Sequence, residues 1–263
     1  MQEPLSFLQF SSLNDVTGLK HAITTRNGGV SSSPYQSLNL GYHVDDRAES
    51  VTHNRTLLAN ALGYGATSLV CAQQVHGAHS IIVNDTQRGR GALDWHSAIP
   101  QTDALITREQ QLPLLILVAD CAPLLLADPV QHVLAVVHAG WRGAVAGIAA
   151  ETVRHMQAEF QSHPAGIRVG IGPCLCAPCL EVGPEVAAMA NAACPAAIKP
   201  ALNPDKAQLD LRALLEYDLK NAGVPPEQIE AMPHCPRCRP DIFFSHRGQH
   251  GTTGRFGLVA WWD

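Results

Sequence analysis

An excess of positive charge is missing from this sequence. Its 18 lysines and arginines face 23 acidic residues, for a net charge of −5. That balance removes the electrostatic basis for wrapping nucleic acid or adhering to an anionic membrane. A long clean apolar run is missing too. The stretch from Leu112 to Ala127 is interrupted by Pro113, Asp120 and Pro123, short of the ~18–20 residues a membrane span requires. The opening residues, Met1-Gln2-Glu3-Pro4, are acidic and lead into no apolar leader core, so a cytoplasmic location is expected. Several catalytic signatures do not occur. There is no G-x-x-x-x-G-K-[ST] loop and no strand-coupled G-x-G-x-x-G for phosphates. There is no H-E-x-x-H, no G-x-S-x-G elbow, and no His followed two residues later by Glu.

What is present points to an α/β protein. The 263 residues, 46% of them hydrophobic, suffice for a proper core, and one domain over residues 1–263 is expected. The first fifty residues are rich in turn signals, as at Arg26-Asn27-Gly28-Gly29 and Ser31-Ser32-Ser33-Pro34. Residues Glu49 to Leu62 carry apolar residues at helical spacing, closed by Gly63. Strands are predicted over Thr67–Ala72, Ser80–Val83, Leu114–Ala119, Pro123–Ala127, Val133–Val137, Ile167–Ile171, Ile242–Ser245 and Gly257–Trp261. Helices are predicted over Ala144–Phe160, Pro184–Ala193 and Leu209–Ala222. The run Leu114–Ala119 is continuously apolar and too short for a helix, so it reads as a strand buried on both faces. The VLAVV strand runs into His138-Ala139-Gly140-Trp141-Arg142-Gly143, a strand, a glycine turn and then a helix.

Three residues share a setting at predicted strand ends, where α/β folds form ligand crevices. His76 follows a strand in Gln74-Val75-His76-Gly77, Cys121 ends the central apolar run, and His138 ends VLAVV. Two imidazoles and one thiolate suit zinc, and three protein ligands with an open fourth position define a catalytic site. Taken singly, a strand-end histidine is more often satisfied by ordinary hydrogen bonds, and a cysteine in an apolar run is usually core. Spacings of 45 and 17 residues match no local zinc motif, so the residues alone leave convergence open. The eight cysteines also include two C-x-x-C pairs, Cys176/Cys179 and Cys235/Cys238. Such pairs can build a structural Cys₄ zinc site and hence a non-enzymatic zinc protein. The 55 residues between them are far beyond the usual ~15–20, so unremarkable reduced thiols are the expectation.

Several segments spread along the chain carry a resemblance. They include Thr25-Arg26-Asn27-Gly28-Gly29-Val30-Ser31, Ser37-Leu38-Asn39-Leu40-Gly41, Asn54-Arg55 and Gln74-Val75-His76-Gly77. Thr102-Asp103-Ala104-Leu105, Ala119-Asp120-Cys121, Val137 to Gly143, Ile171-Gly172-Pro173 and Phe243-Phe244-Ser245 complete the set. Together they resemble the YfiH-type family, the laccase-domain purine nucleoside phosphorylases. The resemblance implies an α/β/β/α layered fold with mixed sheets and one zinc held by His76, Cys121 and His138. It implies phosphorolysis of adenosine, inosine and methylthioadenosine, deamination of adenosine, and purine nucleoside and phosphate as partners. Asn39, Arg55 and Gln74 match polar positions beside the nucleoside or the metal. Arg55 and Arg142 are the expected phosphate clamps, because a guanidinium pairs bidentately with phosphate. Asp120 is expected to be a base or to orient a ligand. Two departures bear on the substrate: Leu180 and His246 stand where the family usually has aromatics. Rival family readings are a copper polyphenol oxidase and an amidase that edits a cell-wall precursor. A His₂Cys site can take Cu(II), but a multicopper cluster is normally built from His-x-His pairs and the chain has none.

Overall fold

The structure is a computed structural model and describes residues 4–263. In its first half, strands β1 (Phe7–Leu8) and β2 (Leu19–Thr24) precede helix α1 (Ala48–Leu62). Strands β3 (Val70–Cys71), β4 (Ser80–Ile82), β5 (Ala104–Thr107), β6 (Leu114–Val118), β7 (Ala122–Asp128) and β8 (Val133–Ala139) follow. The second half runs α2 (Trp141–Val145), α3 (Ile148–Phe160), β9 (Arg168–Ile171), β10 (Glu181–Val182), α4 (Pro184–Ala193) and β11 (Ile198–Pro200). It closes with β12 (Ala207–Leu209), α5 (Leu211–Asn221), β13 (Ile229–Ala231) and β14 (Phe256–Trp262).

Two mixed sheets face each other. One has the order β1-β2-β14-β6-β3 and the other β13-β9-β7-β8-β5-β4, while β10-β12-β11 form a small third sheet. Side-chain alternation along each strand assigns the layers. In β6, Leu114, Ile116 and Val118 point between the two large sheets, whereas Leu115 and Leu117 pack with Leu58 of α1. In β8, Leu134 and Val136 enter the inter-sheet core, and Val133, Ala135 and Val137 meet Val153 and Met156 of α3 and Leu215 of α5. The result is the α/β/β/α stack. Strand β6 is apolar at every position, and β8 at every position except His138, because both their faces are covered.

Several expectations are refined. Residues 67–72 form a strand only at Val70–Cys71, because Ala66–Ser68 winds into a 3₁₀ turn. The predicted helix from Ala144 is two helices, α2 and α3, broken at Gly147, whose φ of 78° is left-handed. Asp218 of α5 accepts the Ala150 N–H there, satisfying a donor at the new helix start. Leu209 ends β12, and α5 begins after Asp210, whose carboxylate accepts the Ala213 N–H as N-cap. Ile242–Ser245 is not a strand. Its backbone turns, with Phe243 N–H donating to Arg239 C=O, and Phe243 and Phe244 are fully buried plugs of the inter-sheet core. Their apolarity reflects packing, not pairing. No helix among the described residues is long and apolar enough to cross a membrane.

Candidate active site

The three predicted ligands converge. One ligand atom each from His76, Cys121 and His138 lies within 4.8 Å of the others, a set able to hold a metal ion. Topology explains this. Cys121 occupies the corner between β6 and β7, where the chain passes from one sheet to the other, and His138 lies on β8 opposite Pro123 of β7. His76 reaches in from the loop after β3. Two non-glycine residues here hold left-handed backbone, His76 (φ 63°) and Asp120 (φ 103°), the kind of strain that persists where surrounding contacts over-determine it.

Asp103, which carried no role in the sequence analysis, organises the set. It is fully buried. Its carboxylate accepts the His138 Nδ1–H at 2.8 Å and the backbone N–H groups of Val75, His76 and Gly77. His138 is thereby fixed with Nε2 as its free nitrogen, the usual device for orienting a ligating histidine. Burial raises the carboxyl, but the His138 hydrogen bond and charge and the Gly77 and His76 N–H groups outweigh it and hold Asp103 below its ordinary range. Burial likewise opposes ionisation of Cys121, yet His138 and His76 bring its thiol down to about 6. Against the same cost of burial, Cys121 and Asp103 lift His138 to about 9. A thiolate beside polarised imidazoles is the donor chemistry a borderline-soft metal requires.

Gly140 completes the cradle. A Cβ at this position would come within 2.8 Å of His76 Cδ2 and 3.1 Å of Cys121 Sγ. Gly143 is similarly pressed against the Gly77 carbonyl, at 2.6 Å from a built Cβ. The glycines of the His138–Gly143 segment are therefore those that let α2 start directly over the ligands.

The ligands open into a cavity of about 370 Å³, within the ~300–1,000 Å³ of small-ligand sites. Three guanidinium residues line it, namely Arg142, Arg247 and Arg255, with Gln74 and Asp120 beside the ligands. His43 and Trp95 line it as well, their rings 4.5 Å apart. Leu180 and His246, the two departures from the family pattern, are both on its wall. Arg142 lies over the Trp141 ring. Gln74 spans to β6, accepting from Leu117 N–H and donating to Leu117 C=O, and so pins the loop that carries His76. Both oxygens of Asp120 are engaged, one by Ser245 Oγ and one by Arg247 N–H, each at 2.6 Å. Burial is the larger influence on it and raises its carboxyl.

Two expected pocket residues are elsewhere. Arg55 is buried off the cavity, its guanidinium consumed by the carbonyls of Leu40, Gly91 and Ala92. It cannot clamp phosphate, because it is sealed from the cavity and its Nε and Nη1 donors are spent on those carbonyls. Asn39 is fully buried and accepts the N–H groups of Gly41 and Arg255. It shapes the segment that presents Arg255 without itself reaching the cavity. The C-x-x-C pairs, expected to be unremarkable reduced thiols, are free thiols that nevertheless converge. The sulfurs of Cys176, Cys179, Cys235 and Cys238 all lie within 4.8 Å of one another.

Fold and site together define a layered α/β protein in which two histidines and one cysteine, a set able to hold a metal ion, line a cavity that also presents three guanidinium groups. Residues 20–263 match the family described as multi-copper polyphenol oxidoreductase laccase, and the chain belongs to that family. Among its relatives is the protein named purine nucleoside phosphorylase YlmD of Bacillus subtilis (strain 168), 38% identical over 88% of this chain and 84% of that one. A purine nucleoside phosphorylase of Streptomyces coelicolor is 40% identical over 94% and 97%. The crystal structure of YlmD from Geobacillus stearothermophilus superposes with a TM-score of 0.94 at 34% identity, covering 100% of this chain and 98% of that one.

Proposed function

We propose that this protein is a zinc-dependent purine nucleoside phosphorylase acting on adenosine, inosine and methylthioadenosine, with deamination of adenosine at the same centre. One observation carries the reading: a three-ligand metal set opens into a cavity that also presents three guanidinium groups. The ligands would be His76, Cys121 and His138, and a zinc ion there supplies Lewis acidity toward an electron-rich atom of the substrate. The names of the relatives support the substrate class.

Phosphorolysis forms a bond between a phosphate oxygen and ribose C1′ and breaks the bond from C1′ to the purine nitrogen, which leaves with a proton. Arg142, Arg247 and Arg255 hold the anionic nucleophile, since planar guanidinium groups match phosphate oxygens. The His43–Trp95 pair offers the purine a ring surface to stack against. Asp120 is a positioning residue. With both oxygens occupied, it ties the Ser245–Arg247 segment to the cavity wall beside Cys121. Asp103 orients His138 and anchors the His76 loop.

The oxidase reading gains nothing from the donor set. Among the described residues the clustered metal-capable groups are this triad and the four cysteines, neither of which is the multi-histidine cluster that dioxygen reduction by several coppers needs. The test incubates the purified protein with inosine, adenosine or methylthioadenosine, with and without inorganic phosphate. The expected result is free base and the ribose 1-phosphate product in equal amounts, only when phosphate is present. Inosine from adenosine without phosphate, and no sugar phosphate under any condition, would limit the protein to deamination and overturn the phosphorylase reading.

A further inference from the structure

Cys176, Cys179, Cys235 and Cys238 play no part in the chemistry above, yet the fold gathers them closely. Cys179 and Cys238 have sulfurs 3.5 Å apart, and Cys176 and Cys238 3.9 Å. Strand pairing is the cause. β9 and β13 run parallel, with Ile171 opposite Ala231. Past that register the two chains continue side by side, tied by Met232 N–H to Ile171 C=O and by Cys174 N–H to His234 C=O. Five residues beyond Ile171 lies Cys176, and four beyond Ala231 lies Cys235. The 55 residues between the pairs are the crossover that parallel neighbours require, so their separation along the chain carries no weight against a shared site.

Local geometry is that of a ligand turn in each pair. Cys179 N–H donates to Cys176 C=O, and the N–H groups of Cys238 and Arg239 both donate to Cys235 C=O. Each turn brings its two sulfurs to one side. Four sulfurs and no open ligand position is the composition of a closed structural site.

We propose that these four cysteines form a tetrathiolate site for a structural zinc ion, distinct from the His76–Cys121–His138 centre, that clamps together two segments walling the active cavity. The first segment carries Leu175 and Leu180, and the second leads to His246 and Arg247. They already touch through Arg212, which donates to the carbonyls of both Cys174 and His234. Zinc binding here displaces the thiol protons to solvent and needs no oxidant. The ion fixes wall geometry and touches no substrate.

Elemental analysis of the full-length protein tests this. The unaltered chain is expected to hold two zinc ions, and the Cys176→Ser/Cys179→Ser double variant one. Equal metal counts in the two proteins, or iron in place of zinc at the four cysteines, would overturn the proposal. Two fewer hydrogens in the intact mass of the protein as isolated, marking a disulfide among the four, would also overturn it. Because the double variant can fail to fold, a second measurement uses the unaltered chain loaded with Co²⁺. Thiolate-to-cobalt charge transfer with the intensity of five bound thiolates is the expected result, one from Cys121 and four from this cluster. The intensity of a single thiolate would contradict it.

Discussion

Two sulfur-bearing clusters in this protein are built by opposite means. The His76–Cys121–His138 centre gathers three solitary residues from three separate segments, opens into the cavity, and relies on a carboxylate behind it, Asp103, for its order. The four-cysteine cluster gathers two local pairs from the ends of two parallel strands and holds itself with backbone hydrogen bonds. The first arrangement leaves an approach for a substrate. The second uses every ligand position on itself. Openness, rather than ligand type, is what separates a reactive centre from a clamp.

The largest expected effect comes from Cys121→Ser. Loss of the thiolate should empty the open centre and lower phosphorolysis by at least ~10³-fold, the worth of several kcal/mol of Lewis-acid stabilisation. Zinc analysis on the same sample should show the four-cysteine site still filled. Loss of both ions would break the claimed independence of the two clusters. Asp103→Asn should cost roughly 10–100-fold in metal affinity or turnover. The amide would present an NH₂ to His138 Nδ1 and weaken the grip on the His76 loop. Metal titration reads the affinity, and an unaltered value would mean the open centre needs no more support than the closed one.

A smaller effect is expected from Arg142→Ala. Removing one charge-assisted phosphate contact should raise KM for phosphate by about tenfold, with a much smaller change for the nucleoside. Steady-state kinetics with each substrate varied in turn separates the two. Equal changes in both would place Arg142 outside the anion subsite.

The last effect is on stability rather than activity and concerns the ground beneath the closed cluster. His21 is buried against Phe10 and accepts its N–H, and Phe10 fills the space over Gly170 of β9. Burial lowers His21 to about 4 against the pull of Glu230. Its folded pKa lies below the unfolded value of about 6.5, so the unfolded chain binds the extra proton between them. Stability from His21 is therefore complete above pH 6.5 and lost as pH falls toward 4, by up to about 3 kcal/mol in total. Thermal melting across this window should show the slope, and His21→Gln should flatten it by keeping a neutral acceptor for Phe10.

Much of this was legible in the sequence where one physical signal dominated. β6 is apolar at every residue, and β8 at every residue but His138, because sheets or helices cover both faces, and α1 ends at Gly63 because the chain needs left-handed backbone there (φ 85°). The residues able to hold a metal were legible as residue types and through the family motifs. Their convergence belongs to the sheet pairing. Asp103 was hidden because its weight comes from four hydrogen bonds to residues distant along the chain. Arg55 and Asn39 misled because a polar residue in a shared motif can serve a buried backbone as well as a ligand. The cysteine pairs misled for a related reason: distance along the chain is a poor guide once two strands lie parallel. Ile242–Ser245 looked like a strand because two consecutive phenylalanines read the same whether they pair or plug.

The central claim is that His76, Cys121 and His138 hold a metal with one side left free toward the cavity. Anomalous scattering at the zinc edge, from crystals of the intact protein grown without added metal, tests it most directly. The account predicts a zinc peak bonded to those three side chains, with its remaining side facing Arg142, Arg247 and Arg255. No peak at this position in a fully folded chain, or an ion enclosed by four protein ligands, would contradict it.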